Sequence, residues 1–359
     1  MKITEIKTNI IPIKLNAPFK TALREVNAVD VIRVKLYFDN GIIGIGEAAP
    51  TKEITHDTKE SILKAINEIF KPFLLGKEVD DKLLFLAEMN ALIDHNTSPK
   101  AAIDIALYDA LAKEKGLPLY QYLGGNKAEL ETDFTISIAK QEKMVEDAKA
   151  KVSSGFKSLK VKLGLDNIEE EVAKIRHISQ VFDGKVPLRI DANQGWDKEE
   201  AVQILTQWQD LPIEFVEQPV SAADFEGLKY VTDHTDIPIM ADESMFSLAD
   251  AKRLIDGEYC DLLNIKLMKS QGISGALKIH QLATDKGINC MVGSMIEGYA
   301  GMSAAAHFAV SAHNVRYYDL DVPFMWEVSD LSDDLIGMQI RPGQLQLLDK
   351  PGLGIKDWR

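Results

Sequence analysis

Three acids recur at nearly even spacing, Asp191, Glu217 and Asp242, 26 and 25 residues apart, and Lys266 follows 24 residues later. Each closes a short apolar run: Leu188 to Asp191, Glu214 to Glu217, Pro238 to Asp242 and Leu262 to Lys266. An earlier run, Ser158 to Lys162, ends in lysines at 160 and 162. Carboxylates brought together repel one another unless a cation neutralises them, and an all-oxygen set suits a hard ion such as Mg²⁺. The spacing therefore predicts a metal site at Asp191, Glu217 and Asp242.

The lysines suggest what such a site would do. Lys160 and Lys162 are two apart on a strand, so both leave the same face. Lys266, four units further round, would face them. A carbon acid held between two opposed amines can lose its proton to one and regain it from the other, which inverts a stereocentre. A lysine serves as base only if its pKa falls from about 10.4 toward neutrality, and burial beside a cation has that effect. The metal would also hold a substrate carboxylate and stabilise the charge formed as the α-proton leaves. Each residue alone has a plainer use, an Asp as a helix N-cap and a Lys in a structural ion pair. Recurrence at the same place in successive units favours the chemistry.

Convergence requires a particular scaffold. Short apolar runs separated by longer amphipathic segments are the pattern of βα units on a parallel sheet. A barrel of eight units in roughly 250 residues gives about 30 residues per unit and opens all its strand ends on one face. The first strand is expected at Phe134 to Ile138, the seventh at Asn289 to Ser294 and the eighth at Val315 to Asp319, with helices near 141–153, 167–182, 197–209, 247–256, 274–286 and 297–311. Residues 1–50 alternate as antiparallel strands, Ile3 to Pro12, Val29 to Phe38 and Ile42 to Glu47, with Asp39-Asn40-Gly41 as a turn. The polar stretch Ala17 to Arg24 is long for a hairpin loop and suits a lid. Residues 58–115 carry helical spacing. The fold class is thus α/β, with an α+β domain at 1–125, a barrel at 126–325, and a segment at 326–359 packing back on the first domain.

Bulk properties narrow the partners. A net charge of -14 argues against nucleic acid or an anionic membrane surface. No apolar run is long enough to span a bilayer, and the start lacks signal-peptide organisation, so the reading is cytoplasmic. The two cysteines, Cys260 and Cys290, sit beside apolar strand-like runs, as reduced buried thiols do. The oligomeric state is open, a homo-oligomer included.

The motifs Lys160-Val161-Lys162, Asp191-Ala192-Asn193-Gln194-Gly195-Trp196, Val216-Glu217-Gln218-Pro219, Met240-Ala241-Asp242-Glu243-Ser244 and Asn264-Ile265-Lys266-Leu267-Met268-Lys269 resemble the enolase superfamily, within its muconate lactonizing subgroup. The resemblance runs over essentially the whole chain. It implies a modified TIM barrel, (β/α)7β, with an N-terminal capping domain that the C-terminal tail completes and whose loops set specificity. It also implies Lys162 and Lys266 as the proton-exchanging pair, assisted by Lys160, which helps to neutralise the substrate carboxylate. The two-lysine site is common to cycloisomerases, succinylbenzoate synthases, N-acylamino acid racemases and dipeptide epimerases. Asp319-Leu320-Asp321 resembles the pair that holds a free α-ammonium in the dipeptide epimerases, and two carboxylates on one strand face make a cation site. Pro18 to Arg24 resembles a specificity loop whose arginine meets a glutamate side chain, which a guanidinium suits. Thr135, Ser294 and Ile296 match pocket-lining positions, and Ile54 lies on a second capping loop; Lys269 is expected at the surface. The implied activity is Mg²⁺-dependent inversion of the second residue of an L-Ala-L-Xaa dipeptide, with Glu as Xaa and a murein-peptide role. An N-acylamino acid racemase or succinylbenzoate synthase is the alternative, and a non-catalytic barrel binding a metal or dipeptide the remote one.

Overall fold

The antiparallel meander of the N-terminal domain is built from β1 (Ile3–Lys20), β2 (Glu25–Phe38) and β3 (Ile43–Ala48), paired in that order. The computed structural model describes residues 1–80, 83–327 and 332–356. The Asp39-Asn40-Gly41 turn forms as expected, with Gly41 at φ +83° and the Asn40 side chain accepting from the Ile42 N–H at 3.1 Å. The stretch at 17–24 differs from the expected open lid. After an irregularity past Lys14 the β1–β2 ladder resumes at Phe19 opposite Val26 and Lys20 opposite Glu25. What is left is a tight tip, in which Thr21 N–H donates to the Arg24 carbonyl and Thr21 Oγ1 accepts from Leu23 and Arg24. Its polarity reflects an exposed ribbon, since a two-stranded arm reaching past its sheet has no apolar layer to face.

Helices close the domain: α1 (Lys59–Lys64), a π-helical turn at Ala65–Phe70, α2 (Lys71–Leu74), α3 (Phe85–Asn90), α4 (Thr97–Glu114) and α5 (Leu119–Tyr122). The nearly apolar α4 is buried along most of its length, and β3 lies directly against its backbone. A Cβ on Gly44 or Gly46 would stand 2.1 Å from the Ala106 carbonyl or 1.9 Å from that of Ala102, so only glycine permits this approach.

The second domain begins with β4 (Glu129–Glu131) and then alternates strand and helix. The units are β5 (Phe134–Ile136), α6 (Gln141–Ser154), β6 (Leu159–Lys162), α7 (Ile168–Val181), β7 (Leu188–Asp191), α8 (Lys198–Thr206), β8 (Ile213–Glu217), α9 (Phe225–Asp233), β9 (Ile239–Ala241), α10 (Leu248–Asp256), β10 (Leu262–Lys266), α11 (Ile273–Asp285), β11 (Asn289–Gly293), α12 (Tyr299–Ser311) and β12 (Val315–Asp319). The eight strands β5 to β12 pair in sequence order, and every neighbouring pair is parallel. Asp133 N–H donates to the Tyr318 carbonyl at 3.4 Å, which brings the last strand against the first. Eight strands with seven intervening helices make a (β/α)7β barrel. The helix α9 escaped the sequence reading; Asp224 caps it, accepting from Gly227 N–H at 2.8 Å.

The tail adds α13 (Asp333–Ile336), β13 (Met338–Arg341) and β14 (Gln344–Leu347), and β14 pairs with β4 at the entry to the barrel. It also reaches the first domain: Leu353 N–H donates to Asp109 of α4 at 2.8 Å, and Gly352 exchanges backbone hydrogen bonds with Leu117 and Leu119. Residues 328–331 and 357–359 of the expected tail segment lie outside the described residues. Cys260 and Cys290 are free and buried, and burial pushes both thiols up to about 12. Among the described residues no helix is long and apolar enough to cross a membrane.

Candidate active site

Strand register sets the site. Lys162, Asp191 and Glu217 stand side by side at the carboxyl ends of β6, β7 and β8, and Lys266, Gly293 and Asp319 do the same on β10, β11 and β12. Lys162 and Lys266 are thus four strands apart in a barrel of eight, on opposite sides of its mouth. Gly293 makes room for one of them, since a Cβ there would lie 3.1 Å from Lys266 Cε and 2.9 Å from Asn264 Oδ1.

Below the mouth the charges interlock. Lys160 Nζ lies 2.6 Å from Glu217, 2.7 Å from Asp319 and 3.1 Å from Asp191. Lys162 donates to Asp191 at 2.5 Å and Lys266 to Asp242 at 2.6 Å. Taking an ion out of water costs several kcal/mol, so these groups are stable only because each is paired. Burial alone would push the Lys160 and Lys266 ammonium groups down. The surrounding carboxylates, Asp319 and Glu217 for Lys160 and Asp242 and Glu217 for Lys266, outweigh it and hold both above the ordinary lysine range. The lowering expected of a lysine base depends on a bound cation beside it, and the protein groups around these two ammonium groups are mostly carboxylates. Burial likewise opposes ionisation of Asp191, but Lys162 and Lys160 bring it down to about 2. Glu217 goes the other way, to about 8, through burial and the neighbouring Asp191.

The three expected metal ligands are fully buried at three successive strand ends, with Asp242 just beyond β9. Their oxygens are spread apart by lysines. Among the described residues, the carboxylates whose oxygens gather within 4.8 Å are Asp133, Asp319 and Asp321 instead. The donor chemistry of the first trio still fits a hard cation. Glu217 Oε2 lies near Lys160 yet lacks hydrogen-bond geometry, and the buried Asn193 Oδ1 and Glu243 Oε2 have no hydrogen-bond partner.

Above these groups lies a pocket. Its wall includes Arg24, Ile54, Thr135, Lys162, Lys266, Ser294, Ile296, Asp319 and Asp321, together with Phe19, Thr21 and Asn193. The capping arm thus meets the strand ends: Lys20 exchanges hydrogen bonds with Ser137 and Ile138 just after β5, and Phe19 lies 6.0 Å from Lys162 Nζ. Lys160, expected among the substrate contacts, is not on this wall; it is 1% exposed and lies beneath, occupied by three carboxylates. Asp321 Oδ2 accepts from Thr135 N–H at 2.6 Å. Burial and then Asp319 push the Asp321 carboxyl up to about 7, while Asp319, although buried, is held low by Lys160.

Four groups were missed. Lys269, expected at the surface, is 1% exposed and lies 2.5 Å from Asp242 Oδ1, one turn beyond Lys266; burial lowers its pKa. Its place in a tight turn off a buried strand was the available signal. Glu243, adjacent to Asp242, accepts from Asn193 Nδ2 at 3.0 Å, and burial and Asp242 raise it to about 7. Asn264 donates to Glu217 Oε1 at 2.7 Å. Asp133, fully buried and paired with Arg189 at 2.9 Å, joins the second acidic cluster through barrel closure alone.

Two family models cover the chain: Mandelate racemase / muconate lactonizing enzyme, N-terminal domain, over residues 3–124, and Enolase C-terminal domain-like, over 143–356. The L-Ala-D/L-Glu epimerase of Bacillus subtilis is 46% identical over 357 residues, covering 99% of this chain and 97% of that protein. The solved substrate-liganded complex of the B. subtilis epimerase superposes with a TM-score of 0.95 at 46% identity, over 99% of each chain. The dipeptide epimerase of Enterococcus faecalis, solved with Mg and L-Leu-L-Tyr, superposes with a TM-score of 0.93 at 37% identity, over 99% of this chain and 100% of that one.

Proposed function

This chain belongs to the mandelate racemase and muconate lactonizing enzyme family of the enolase superfamily, and from that premise we propose that it is a Mg²⁺-dependent dipeptide epimerase. It inverts the second residue of L-Ala-L-Xaa dipeptides, and L-Ala-L-Glu is the substrate the pocket suits. The observation that carries this reading is the placement of Lys162 and Lys266 on opposite sides of a pocket whose wall also holds Asp319 and Asp321.

Asp191, Glu217 and Asp242 would hold the ion, which when bound supplies positive charge to the substrate carboxylate as the α-carbon gives up its proton. The chain's own residues do the rest. Asp319 and Asp321 take the dipeptide ammonium, which fixes the peptide's direction across the mouth. Lys162 and Lys266 then face the α-carbon from two sides. In one direction Lys266 gives its proton after Lys162 has taken the substrate's; in the other the roles exchange. Lys160, beneath the pocket, positions Asp319 and balances the charge of Asp191 and Glu217. Arg24 and Ile54 close over the second side chain, and Thr135, Ser294 and Ile296 complete the wall.

An ammonium-holding acid pair favours dipeptides over the N-acylated or amine-free substrates of the sister enzymes. The relatives' dipeptides support a small-molecule substrate, and a cytoplasmic, murein-peptide setting is part of the proposal. The test is ¹H NMR of L-Ala-L-Glu with enzyme and Mg²⁺ in D₂O. Loss of the Glu α-proton signal with appearance of the other diastereomer, suppressed by EDTA, is expected. If no dipeptide exchanges its α-proton while an N-acylamino acid does, the ammonium assignment fails.

A further inference from the structure

The pocket's cation for a substrate side chain is already engaged by the protein's own acid. Arg24, at the tip of the β1–β2 arm, has its Nη1 3.6 Å from Glu53 Oε2, on the second capping loop. That loop is fixed by a turn in which Ile54 and Thr55 N–H groups both donate to the Thr51 carbonyl, at 3.0 and 2.9 Å. Arg24 faces the substrate pocket, whereas Glu53 lines a separate groove outside it. The arginine side chain is 15% exposed and the glutamate 41%. The pair is thus a half-open one, longer than a hydrogen bond, between a desolvated guanidinium and a wetter carboxylate. Burial lowers the Arg24 pKa and Glu53 works against that, as a nearby counter-charge does.

In such a pair Glu53 offsets part of the guanidinium's charge at the pocket wall. An acidic substrate side chain has to compete with Glu53 for the guanidinium and also meets its charge, whereas a neutral side chain feels little of either. We propose that Glu53 is a specificity residue that tempers the preference for acidic second residues, so that the enzyme selects Glu less sharply than Arg24 alone would make it do. This rests on the dipeptide epimerase reading, with Arg24 at the second side chain.

The test compares Glu53→Gln and Glu53→Ala with the unmodified enzyme on L-Ala-L-Glu and on L-Ala-L-Gln, which is similar in shape and uncharged. Both variants should lower KM for L-Ala-L-Glu by roughly three- to five-fold, the upper part of the range of a partly exposed ion pair, and leave kcat unchanged. L-Ala-L-Gln should change by less than about two-fold, and added salt should shrink the difference between substrates. A higher KM for L-Ala-L-Glu would overturn the proposal, because Glu53 would then be orienting Arg24. Equal changes on both substrates, or none, would overturn it as well. If the unmodified enzyme epimerises neither dipeptide, the functional reading falls and takes the proposal with it; an active enzyme with an unaltered Glu/Gln ratio in the variants sinks the proposal alone.

Discussion

The barrel mouth holds two sets of three acids, and they solve the same electrostatic problem differently. Asp191, Glu217 and Asp242 stand apart, with the ammonium groups of Lys160, Lys162, Lys266 and Lys269 set among them. Asp133, Asp319 and Asp321 crowd within 4.8 Å, with Lys160 on one and Arg189 on another. The first set is neutralised by cations that can also move protons. The second has Lys160 on Asp319 and Arg189 on Asp133, and burial followed by the Asp319 charge raises the Asp321 carboxyl to about 7. On the proposed reading, one set serves a metal and proton transfer, and the other receives the substrate's ammonium.

The sharpest way to break this division is Lys266→Ala. Epimerisation should fall by roughly 10²- to 10⁴-fold or more, while α-proton exchange with solvent survives for one epimer only. Retention of exchange for both epimers would show that the lysines of the first set are not the opposed bases. Next in size, Lys269→Met should leave Asp242 with one ammonium fewer in a fully buried place. Breaking such a pair costs about 3–5 kcal/mol, measured by urea unfolding in EDTA, and an unchanged midpoint would mean that Lys266 alone suffices.

The second set should respond to the substrate amine. Asp321→Asn is expected to raise KM for L-Ala-L-Glu by roughly 10- to 100-fold, the range of a charged hydrogen bond, and to leave Mg²⁺ affinity alone. A loss of Mg²⁺ binding would merge the two sets into one. The smallest effect is the pH dependence. Since the Asp321 carboxyl sits near 7, raised above its ordinary value, it is neutral below that pH and charged above it. KM should then rise a few-fold as pH falls from about 8 to 6, and rise again above about 8 as the substrate ammonium, with an ordinary pKa of about 7.7–8.0, loses its proton. The acid limb should be absent from Asp321→Asn; its persistence would move the titration to another group.

Much of this was legible in the chain. Evenly spaced acids at the ends of apolar runs were enough to place Asp191, Glu217, Asp242, Lys162 and Lys266 at one barrel mouth, because βα units repeat and parallel strands all end on one face. The polar arm at 17–24 misled as an expected loop, since polarity marks exposure and an exposed ribbon can still pair as strand. Lys269 misled because a charged residue after a strand is usually solvated, and only the burial of Asp242 gives it a reason to fold inward.

Local pattern by itself determined the barrel, the opposed lysines and the positions of the first three acids, since these depend on period and spacing. Tertiary structure alone decided how the charges are shared. Asp133 enters the second cluster when the barrel closes β12 against β5, Lys160 drops beneath the pocket to bridge carboxylates from three strands, and Glu53 meets Arg24 across two capping loops. The reason is physical: a charge's neighbours, and hence its pKa and its role, are set by distances of a few ångströms between segments far apart in sequence, while local periodicity reports only which face of an element each residue occupies.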